Sequence, residues 1–389
     1  MNDYKRNIPL LYIYSIFIKR VSMPIIILYF LLNNLSYTEI GILASVTAAI
    51  TLITEIHGGI FADIHGRKSS LILHAFFGLI TMFFYYVGNS FIYFLIASIS
   101  YGLAGAFITG TKNSFLYDTL RKLGMTEDFK KYNGRSVLYS HLVNAVVLLF
   151  IPVIYNVNVK LPFLIGMAFF VVAIITAFLF KEPVNKLTEK NYNKRLFNSL
   201  QEVISHKLLL SSIILTTILF AFIYMASDYI QPLLRISGLQ IVYFGIVFAL
   251  MRVIMGFAAD IAHRFKARIE YLLLAGISIV LVSFLGFHLG KTIILMTAAI
   301  LLLKFGEGFN RILLENEINS AIKSDNRTAI LSISSLSRSL LLALIAVPFG
   351  ALADFVGVQQ MFLYAFIILA ILSTAAYFFL QENLEIVTV

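Results

Sequence analysis

The sequence predicts an all-α integral membrane protein in which twelve transmembrane helices form two pseudo-symmetric six-helix bundles. Three observations support this prediction: the composition, a series of apolar segments without charge, and an internal repeat. Of the 389 residues, 60% are hydrophobic and 13% are charged, and the mean hydropathy is +0.89. Soluble domains average about 45–50% apolar and about 25% charged residues, so this chain cannot build a water-facing surface. The composition therefore excludes a cytosolic enzyme.

Apolar segments of membrane-spanning length recur along the whole chain. Leu208–Ser227 and Phe355–Leu380 contain no Asp, Glu, Lys or Arg, and each reaches the roughly 20 residues that cross a hydrocarbon core of about 30 Å. The apolar segment nearest the N-terminus, residues 8–32, is too long for a cleavable signal peptide, and we interpret it as a membrane span. Turn residues, prolines and charged breaks separate the spans, which we place at 8–32, 38–62, 69–88, 91–116, 136–156, 161–180, 208–230, 238–261, 269–289, 292–316, 328–352 and 357–380.

The basic residues predict the orientation of these spans. With a cytoplasmic N-terminus, twenty basic residues fall in inner segments, and the outer loops hold only Lys160, Arg235 and Lys291. This bias indicates a multi-pass protein of the cell membrane with both termini in the cytoplasm. The net charge of +10 then reflects orientation and contact with anionic lipids, and it does not indicate a nucleic-acid partner.

The longest polar segment, 183–207, lies between spans 6 and 7. We interpret it as a partly helical cytoplasmic linker between an N-terminal bundle (1–182) and a C-terminal bundle (208–389). A regulatory or lipid-contacting role for the linker is the alternative. Nothing in the sequence indicates an oligomer, and we expect a monomer.

Two similar segments follow spans 2 and 8. The first reads Gly59-Ile-Phe-Ala-Asp63-Ile-His-Gly66-Arg67-Lys68, and the second reads Gly256-Phe-Ala-Ala-Asp260-Ile-Ala-His-Arg264-Phe-Lys266. They lie about half the chain length apart, and His263 stands in the second where Gly66 stands in the first. A repeat of this length across two six-span halves indicates duplicated bundles, which is a common transporter architecture.

The first segment resembles the G-x-x-x-D-x-x-G-R-K/R signature that the major facilitator superfamily carries between spans 2 and 3. The physical properties of its residues are consistent with a gate. Gly59 lets a neighbouring helix approach closely, and Gly66 permits a tight turn with positive φ. Asp63 is expected to pair with Arg67 or to face a helix N-terminus, where a carboxylate is stabilised. The resemblance implies that this motif and its second copy act as a gate that biases the equilibrium between two transport states. The gate residues are Gly59, Asp63, Gly66, Arg67 and Lys68 in the first copy, and Gly256, Asp260 and Arg264 in the second. The alternative is a plain turn that only sets the orientation of the spans.

Ionisable residues inside the spans are expensive, so they usually face a cavity or a partner. In the predicted spans the cations outnumber the acids, which favours an anionic or zwitterionic solute because unpaired buried cations are costly. The resemblance implies that spans 1, 4, 7 and 10 line the central cavity. We therefore predict that the solute is held by cations from both halves, the candidates being Lys19, Arg20, Lys112, Lys304 and Arg311.

Proton coupling needs a group whose protonation changes during the transport cycle. Glu307 is the first candidate, because it lies near the middle of span 10 with Lys304 one turn before it and Arg311 one turn after it. Arg311 is also spaced to contact Glu315, and a self-neutralised ladder of purely structural function is the alternative. Asp228 and Glu55 are the further candidates; Asp228 could instead be solvated, and Glu55 could serve a structural pair.

These observations predict a secondary active transporter that moves a small solute by alternating access. The sequence contains no Gly-x-x-x-x-Gly-Lys phosphate loop, which removes ATP-driven transport, and no histidine pair has metal-ligand spacing. We predict no cofactor and no metal; the single histidines of the spans, such as His74, are interpreted as core residues. Similarity to a subgroup of bacterial efflux permeases implies proton-coupled export. Uptake of a nutrient or organic anion, multidrug efflux, and a membrane-embedded enzyme or receptor remain the alternatives.

Overall fold

The structure is a computed structural model that describes residues 2–183, 192–262, 264–265, 267–322 and 327–388. The described residues are almost entirely α-helical, and eleven helical segments among them are long and apolar enough to cross a membrane. The prediction of an all-α integral membrane protein is confirmed. The count of twelve differs by one, because the first predicted span is not a continuous helix.

The chain divides into two compact units, described separately here. The first unit comprises residues 1–35 and 46–190, and the second comprises residues 36–45 and 191–389. Within the described residues the helices of the first unit are α1 Asn2–Lys5, α2 Asn7–Phe17, α3 Ile26–Leu32, most of α4 Tyr37–His65, α5 Arg67–Val87, α6 Phe91–Ile108, α7 Thr111–Leu123, α8 Phe129–Val157 and α9 Leu161–Leu179. Those of the second unit are α10 Tyr192–Ser205, α11 Lys207–Asp228, α12 Ile230–Ile236, α13 Phe244–Ala262, α14 Ile269–Leu289, α15 Ile293–Ala321, α16 Arg327–Val356 and α17 Val358–Thr388.

The first predicted span is interrupted between α2 and α3. Residues 18–25 form turns rather than helix. Pro24 explains part of this interruption, because proline lacks a backbone N–H and disfavours the helical conformation of the residue before it. Non-helical backbone at membrane depth is tolerated where it is buried in protein or lines a cavity. The interruption therefore marks a place where the first unit encloses polar groups.

Aromatic side chains fill the core of each unit. In the first unit the ring of Tyr29 packs against Phe94 and Phe163, with centroids 5.7 and 4.5 Å away, and its hydroxyl donates to the backbone of Tyr85 and Gly88. In the second unit, Phe284, Phe287 and Phe362 pack together with centroids 4.9–6.0 Å apart. These buried rings fix the helices that carry the polar residues described below.

The start of α4 belongs to the second unit and is capped twice. Ser36 and Glu39 form a capping box, in which each backbone N–H donates to the side chain of the other residue. The carboxylate of Asp354 on α16 accepts from the N–H groups of Tyr37 and Thr38, both at 2.8 Å, and from the Thr38 hydroxyl at 2.6 Å. A carboxylate at a helix N-terminus neutralises otherwise unsatisfied N–H groups and the positive end of the helix dipole.

Two glycines bring the backbones of α4 and α16 together beside this cap. A Cβ atom added at Gly41 would meet the carbonyl oxygen of Ala346, and one added at Gly350 would meet that of Tyr37, both closer than real Cβ atoms approach. Only glycine permits these approaches without moving the backbone. The Asp354 cap is therefore supported by close packing of the two helices.

Replacing Asp354 by alanine is expected to destabilise the protein by about 1–2 kcal/mol, because the first N–H groups of α4 lose their acceptor. The midpoint of thermal unfolding of the purified protein measures this. Glu382→Ala, which removes an exposed carboxylate of α17, is the matched control and is expected to shift the midpoint little. Equal midpoints for the two variants would contradict the capping role.

Candidate functional site

The second unit holds a buried charge cluster on α15. Lys304 and Glu307 are 8% and 5% exposed. The Glu307 carboxylate accepts from Lys304 Nζ at 2.8 Å through one oxygen and from Arg311 Nη2 at 2.8 Å through the other. One acid thus lies between two bases, and the cluster carries a net positive charge. Both bases stabilise the ionised form of the carboxylate.

Helix α11 contributes the polar neighbours of this cluster. Lys304 Nζ also donates to the hydroxyl of Ser227 at 2.7 Å, and Arg311 Nη2 donates to the hydroxyl of Tyr224 at 3.2 Å. The Arg311 guanidinium lies 5.3 Å from the centroid of the Phe220 ring. Contacts from a second helix fix both cations in place, so the cluster is preorganised. Sequence reasoning missed Tyr224 and Ser227, although both follow the spacing of one face of α11.

Two sequence-predicted acids differ in their relation to this cluster. Asp228 is half-buried at the end of α11, immediately after Ser227. Glu315 is exposed, and within the described residues it forms no ion pair with Arg311. The ladder that the sequence offered as an alternative therefore does not extend to Glu315. The Arg311 guanidinium instead contacts the Glu307 carboxylate, one helical turn earlier, which Lys304 also contacts.

The first unit holds a cavity of about 390 Å³ beside the interruption between α2 and α3. Lys19 and Arg20 line it from the interrupted segment. The Arg20 guanidinium lies 4.6 Å from the centroid of the Tyr101 ring and 5.8 Å from that of Tyr85, and it donates to the Tyr85 hydroxyl at 3.3 Å. Cation–π contacts of this kind hold a guanidinium in place away from water.

The remaining candidates of the first unit lie near this cavity. Lys112, at the second position of α7, is half-buried and close enough to Lys19 to repel it. Glu55 is half-buried on α4, one helical turn beyond Thr51, which lines the cavity. The structure thus brings Lys19, Arg20 and Lys112 into one neighbourhood.

The segment that resembles the superfamily signature, residues 59–68, forms the end of α4, the turn that follows it and the start of α5. Gly66 has a φ of +97° and precedes α5. The Glu182 carboxylate accepts from the backbone N–H groups of Arg67 and Lys68, at 3.2 and 2.8 Å, and so caps α5. A Cβ atom at Gly66 would lie 2.6 Å from this carboxylate. Glycine is therefore required here both by the backbone conformation and by the cap.

Arg67 pairs with a partner that differs from the sequence expectation. Within the described part of the chain, its ion-pair partner is Asp118 on α7, with Nε 2.8 Å from the carboxylate, and not Asp63. Asp118 is also 3.3 Å from the Arg121 guanidinium. Sequence reasoning gave Asp118 no role at this turn. The carboxylate that meets a helix N-terminus at this turn is that of Glu182.

The close-approach glycine is Gly58 and not Gly59, which corrects the sequence expectation. A Cβ atom at Gly58 would clash with the carbonyl oxygen of Ala106 on α6, whereas one at Gly59 would meet no described atom within 4 Å. The two residues are adjacent, but they point to different faces of α4, and only one face packs against α6.

The second copy of the segment is more exposed than the first. Asp260 pairs with Arg264 at 2.5 Å across one helical turn, and their side chains are 48% and 68% exposed. A Cβ atom at Gly256 would meet no described atom within 4 Å. His263 and Lys266 lie outside the described residues. Among its described residues, the second copy therefore shows an exposed ion pair where the first has a buried one.

Comparison with known proteins decides the family. A family model described as the Major Facilitator Superfamily matches residues 10–346. The chain belongs to the major facilitator superfamily. An uncharacterized MFS-type transporter, YxaM of Bacillus subtilis, is 24% identical over 262 residues, which are 64% of this chain and 63% of that protein. The chain thus spans less than two thirds of that relative's length.

Solved structures of the superfamily share this fold. The nucleoside transporter NupG matches with a TM-score of 0.82 at 14% identity, covering 97% of this chain and 99% of NupG. A bacterial homologue of the human lysosomal transporter Spinster, in an inward-facing and unoccupied conformation, matches with a TM-score of 0.74 at 16% identity over 98% of each chain. At these identities the similarity shows the fold alone. The superfamily match and the fold establish a multi-pass membrane protein.

Proposed function

We propose that this protein is a secondary active transporter that exports a small anionic or zwitterionic solute in exchange for protons. One observation supports the choice of solute: basic side chains that are buried or half-buried cluster in each unit. Lys304 and Arg311 share the carboxylate of Glu307, and the first unit gathers Lys19, Arg20 and Lys112. A bound anion stabilises clustered positive charge that is partly removed from water.

In this proposal, residues 1–182 and 208–389 act as two transport bundles joined by residues 183–207, with both termini in the cytoplasm of a monomer. Lys19, Arg20, Lys112, Lys304 and Arg311 meet the negative charge of the solute, and the segment around Asp63 and Asp260 acts as the gate. The protein acts as a carrier and not as an enzyme, and lipid and protons are its other partners.

Glu307 is the proposed proton-coupling residue. Its carboxylate pairs with two cations, so it can alternate between a form paired with Lys304 and Arg311 and a protonated form. Asp228 and Glu55 are the second choices, because each is half-buried in a span near one of the two cation clusters. A group that takes up and releases one proton in each transport cycle would couple solute movement to the proton gradient.

Reconstitution in liposomes tests the proposal. With an imposed pH gradient, we expect the purified protein to move small organic anions against their own gradient and to leave cationic dyes in place. Nucleosides belong in the panel because a fold neighbour is a nucleoside transporter. Protein-free liposomes are the control. Transport of cationic dyes alone, or flux of every solute that is indifferent to the pH gradient, would contradict the proposal.

The direction of transport follows from the same experiment. Export is expected because of the resemblance to efflux permeases, and it predicts solute flux opposite to the proton flux. Solute flux in the same direction as the protons would instead support the uptake alternative.

A further inference from the structure

The described residues that line the cavity of the first unit all belong to that unit. Its walls come from the interrupted segment between α2 and α3 and from helices α4, α5, α6 and α9. Gly78 on α5 permits this arrangement, because a Cβ atom there would overlap the ring of Phe170, which forms one wall. A ligand in this cavity would therefore contact residues of the first unit.

Two basic residues contribute to the cavity wall. Lys19 and Arg20 line the cavity, and among the described residues that line it there is no Asp or Glu. Lys112 adds a third positive charge nearby, close enough to interact with both Lys19 and His74. A guanidinium beside an ammonium matches the two oxygens of a carboxylate. The wall therefore favours an anion.

His74 gives the cavity a hydrogen-bond acceptor. The residue lines the cavity and is 8% exposed. Its Nδ1 lies 2.8 Å from the carbonyl oxygen of Ala104, so Nδ1 carries the proton and donates it. Nε2 is then an acceptor, and it has no hydrogen-bond partner among the described residues. A buried acceptor without a partner costs free energy that a donor on a ligand recovers.

The size and the apolar walls limit the body of the ligand. A volume of about 390 Å³ equals that of about thirteen water molecules in the liquid at about 30 Å³ each. Ile18, Met82, Ile108 and Phe170 supply flat or flexible apolar surface. The cavity thus suits a compact molecule of about a dozen heavy atoms.

We propose that this cavity is a binding site for a small hydroxylated organic carboxylate, with the carboxylate held by Lys19 and Arg20 and the hydroxyl donated to His74. The site deepens the proposed function, since it names the class of solute, and it rests on that function for its role in transport.

The probe is 3-hydroxybenzoate, which combines a carboxylate, a hydroxyl and a flat apolar body within the permitted size. Calorimetry on the full-length protein in lipid nanodiscs measures its affinity beside benzoate, which lacks the donor, and 3-hydroxybenzamide, which lacks the charge. We expect 3-hydroxybenzoate to bind more tightly than either analogue.

Lys19→Gln and Arg20→Gln are each expected to weaken binding about tenfold or more, since each removes a charged contact. Lys131→Gln, a change of an exposed side chain, is the matched control and should leave the affinity unchanged.

Two further changes identify the cavity and the acceptor. Gly105 lines the cavity, and a Cβ atom there would point toward Thr51 with ordinary contact distances. Gly105→Leu is therefore expected to fill the cavity and abolish binding of all three probes. His74→Phe is expected to remove the preference for 3-hydroxybenzoate over benzoate, and His74→Gln, whose amide oxygen also accepts, is expected to retain it.

Charge-retaining variants keep the test decisive if a glutamine variant fails to fold. Lys19→Arg and Arg20→Lys, which keep the positive charge, are expected to bind the probe more tightly than Lys19→Gln and Arg20→Gln. The proposal is overturned if none of the three probes binds, or if binding persists in Gly105→Leu and in the folded cation variants. Binding without flux through liposomes would reject the transport role and leave the site intact. Flux that ignores Lys19, Arg20 and Gly105 would reject the site and leave the transport role intact.

Discussion

Replacing Glu307 by glutamine is expected to abolish proton-driven transport and to destabilise the protein by about 3 kcal/mol or more. The reason is the geometry of α15, in which one buried carboxylate bonds both Lys304 and Arg311 at 2.8 Å. Glutamine keeps the shape of the side chain but removes its charge, and two neighbouring cations are left to repel each other. Flux in liposomes under a pH gradient and the thermal unfolding midpoint measure the two effects.

Glu315→Gln is the matched control for this change. It removes an exposed carboxylate two turns further along the same helix, and both flux and stability are expected to stay near those of the parent protein. A Glu307→Gln variant with undiminished proton-driven flux would rule out the coupling role of Glu307. An unchanged unfolding midpoint would show that the buried cluster does not depend on its single acid.

Replacing Asp118 by asparagine is expected to destabilise the protein by about 3 kcal/mol, because Arg67 loses the carboxylate that neutralises it. The two side chains are 5% and 16% exposed, so water replaces the lost partner poorly. Asp118 also contacts Arg121, and its loss leaves both guanidinium groups facing an uncharged amide. The unfolding midpoint and the transport rate are the measurements.

Asp128→Asn serves as the comparison for Asp118→Asn. Asp128 forms an ion pair of 3.8 Å with Lys131, and both side chains are largely exposed. Exposed pairs of this kind contribute about 0–1 kcal/mol, so the midpoint should hardly move. If Asp118→Asn behaves like Asp128→Asn, the Arg67–Asp118 pair does not stabilise the turn between α4 and α5.

The fold could be predicted from the sequence because membrane helices are specified locally. A span needs length and low polarity, and every backbone bond of a helix is made within its own segment. The interruption of the first span was missed because Lys19 and Arg20 were treated as charges within a helix. Pro24 was the available signal, since it removes a backbone donor in the middle of an apolar run.

The candidate sites were predictable only where partners share a helix. Helical spacing places Glu307 within reach of Lys304 and Arg311, and the structure shows those contacts. Helical spacing does not reveal partners on other helices. Three such contacts depend on packing between segments far apart in the chain: Tyr224 near Arg311, Glu182 at the start of α5, and Asp118 beside Arg67. The choice between Gly58 and Gly59 likewise depends on which face of α4 meets α6.

The division of α4 between the two units has a practical consequence for protein engineering. Residues 36–45 fold with the second unit, while the rest of that helix folds with the first. A gene cut within the polar segment after residue 183 would yield a C-terminal fragment without the peptide that Asp354 caps and that lies against Gly350. Expressed alone, that fragment would leave the Asp354 carboxylate without its N–H donors and would expose the surface of α16 at Gly350. Co-production with the N-terminal fragment, rather than isolated expression, is the route to a well-ordered C-terminal half.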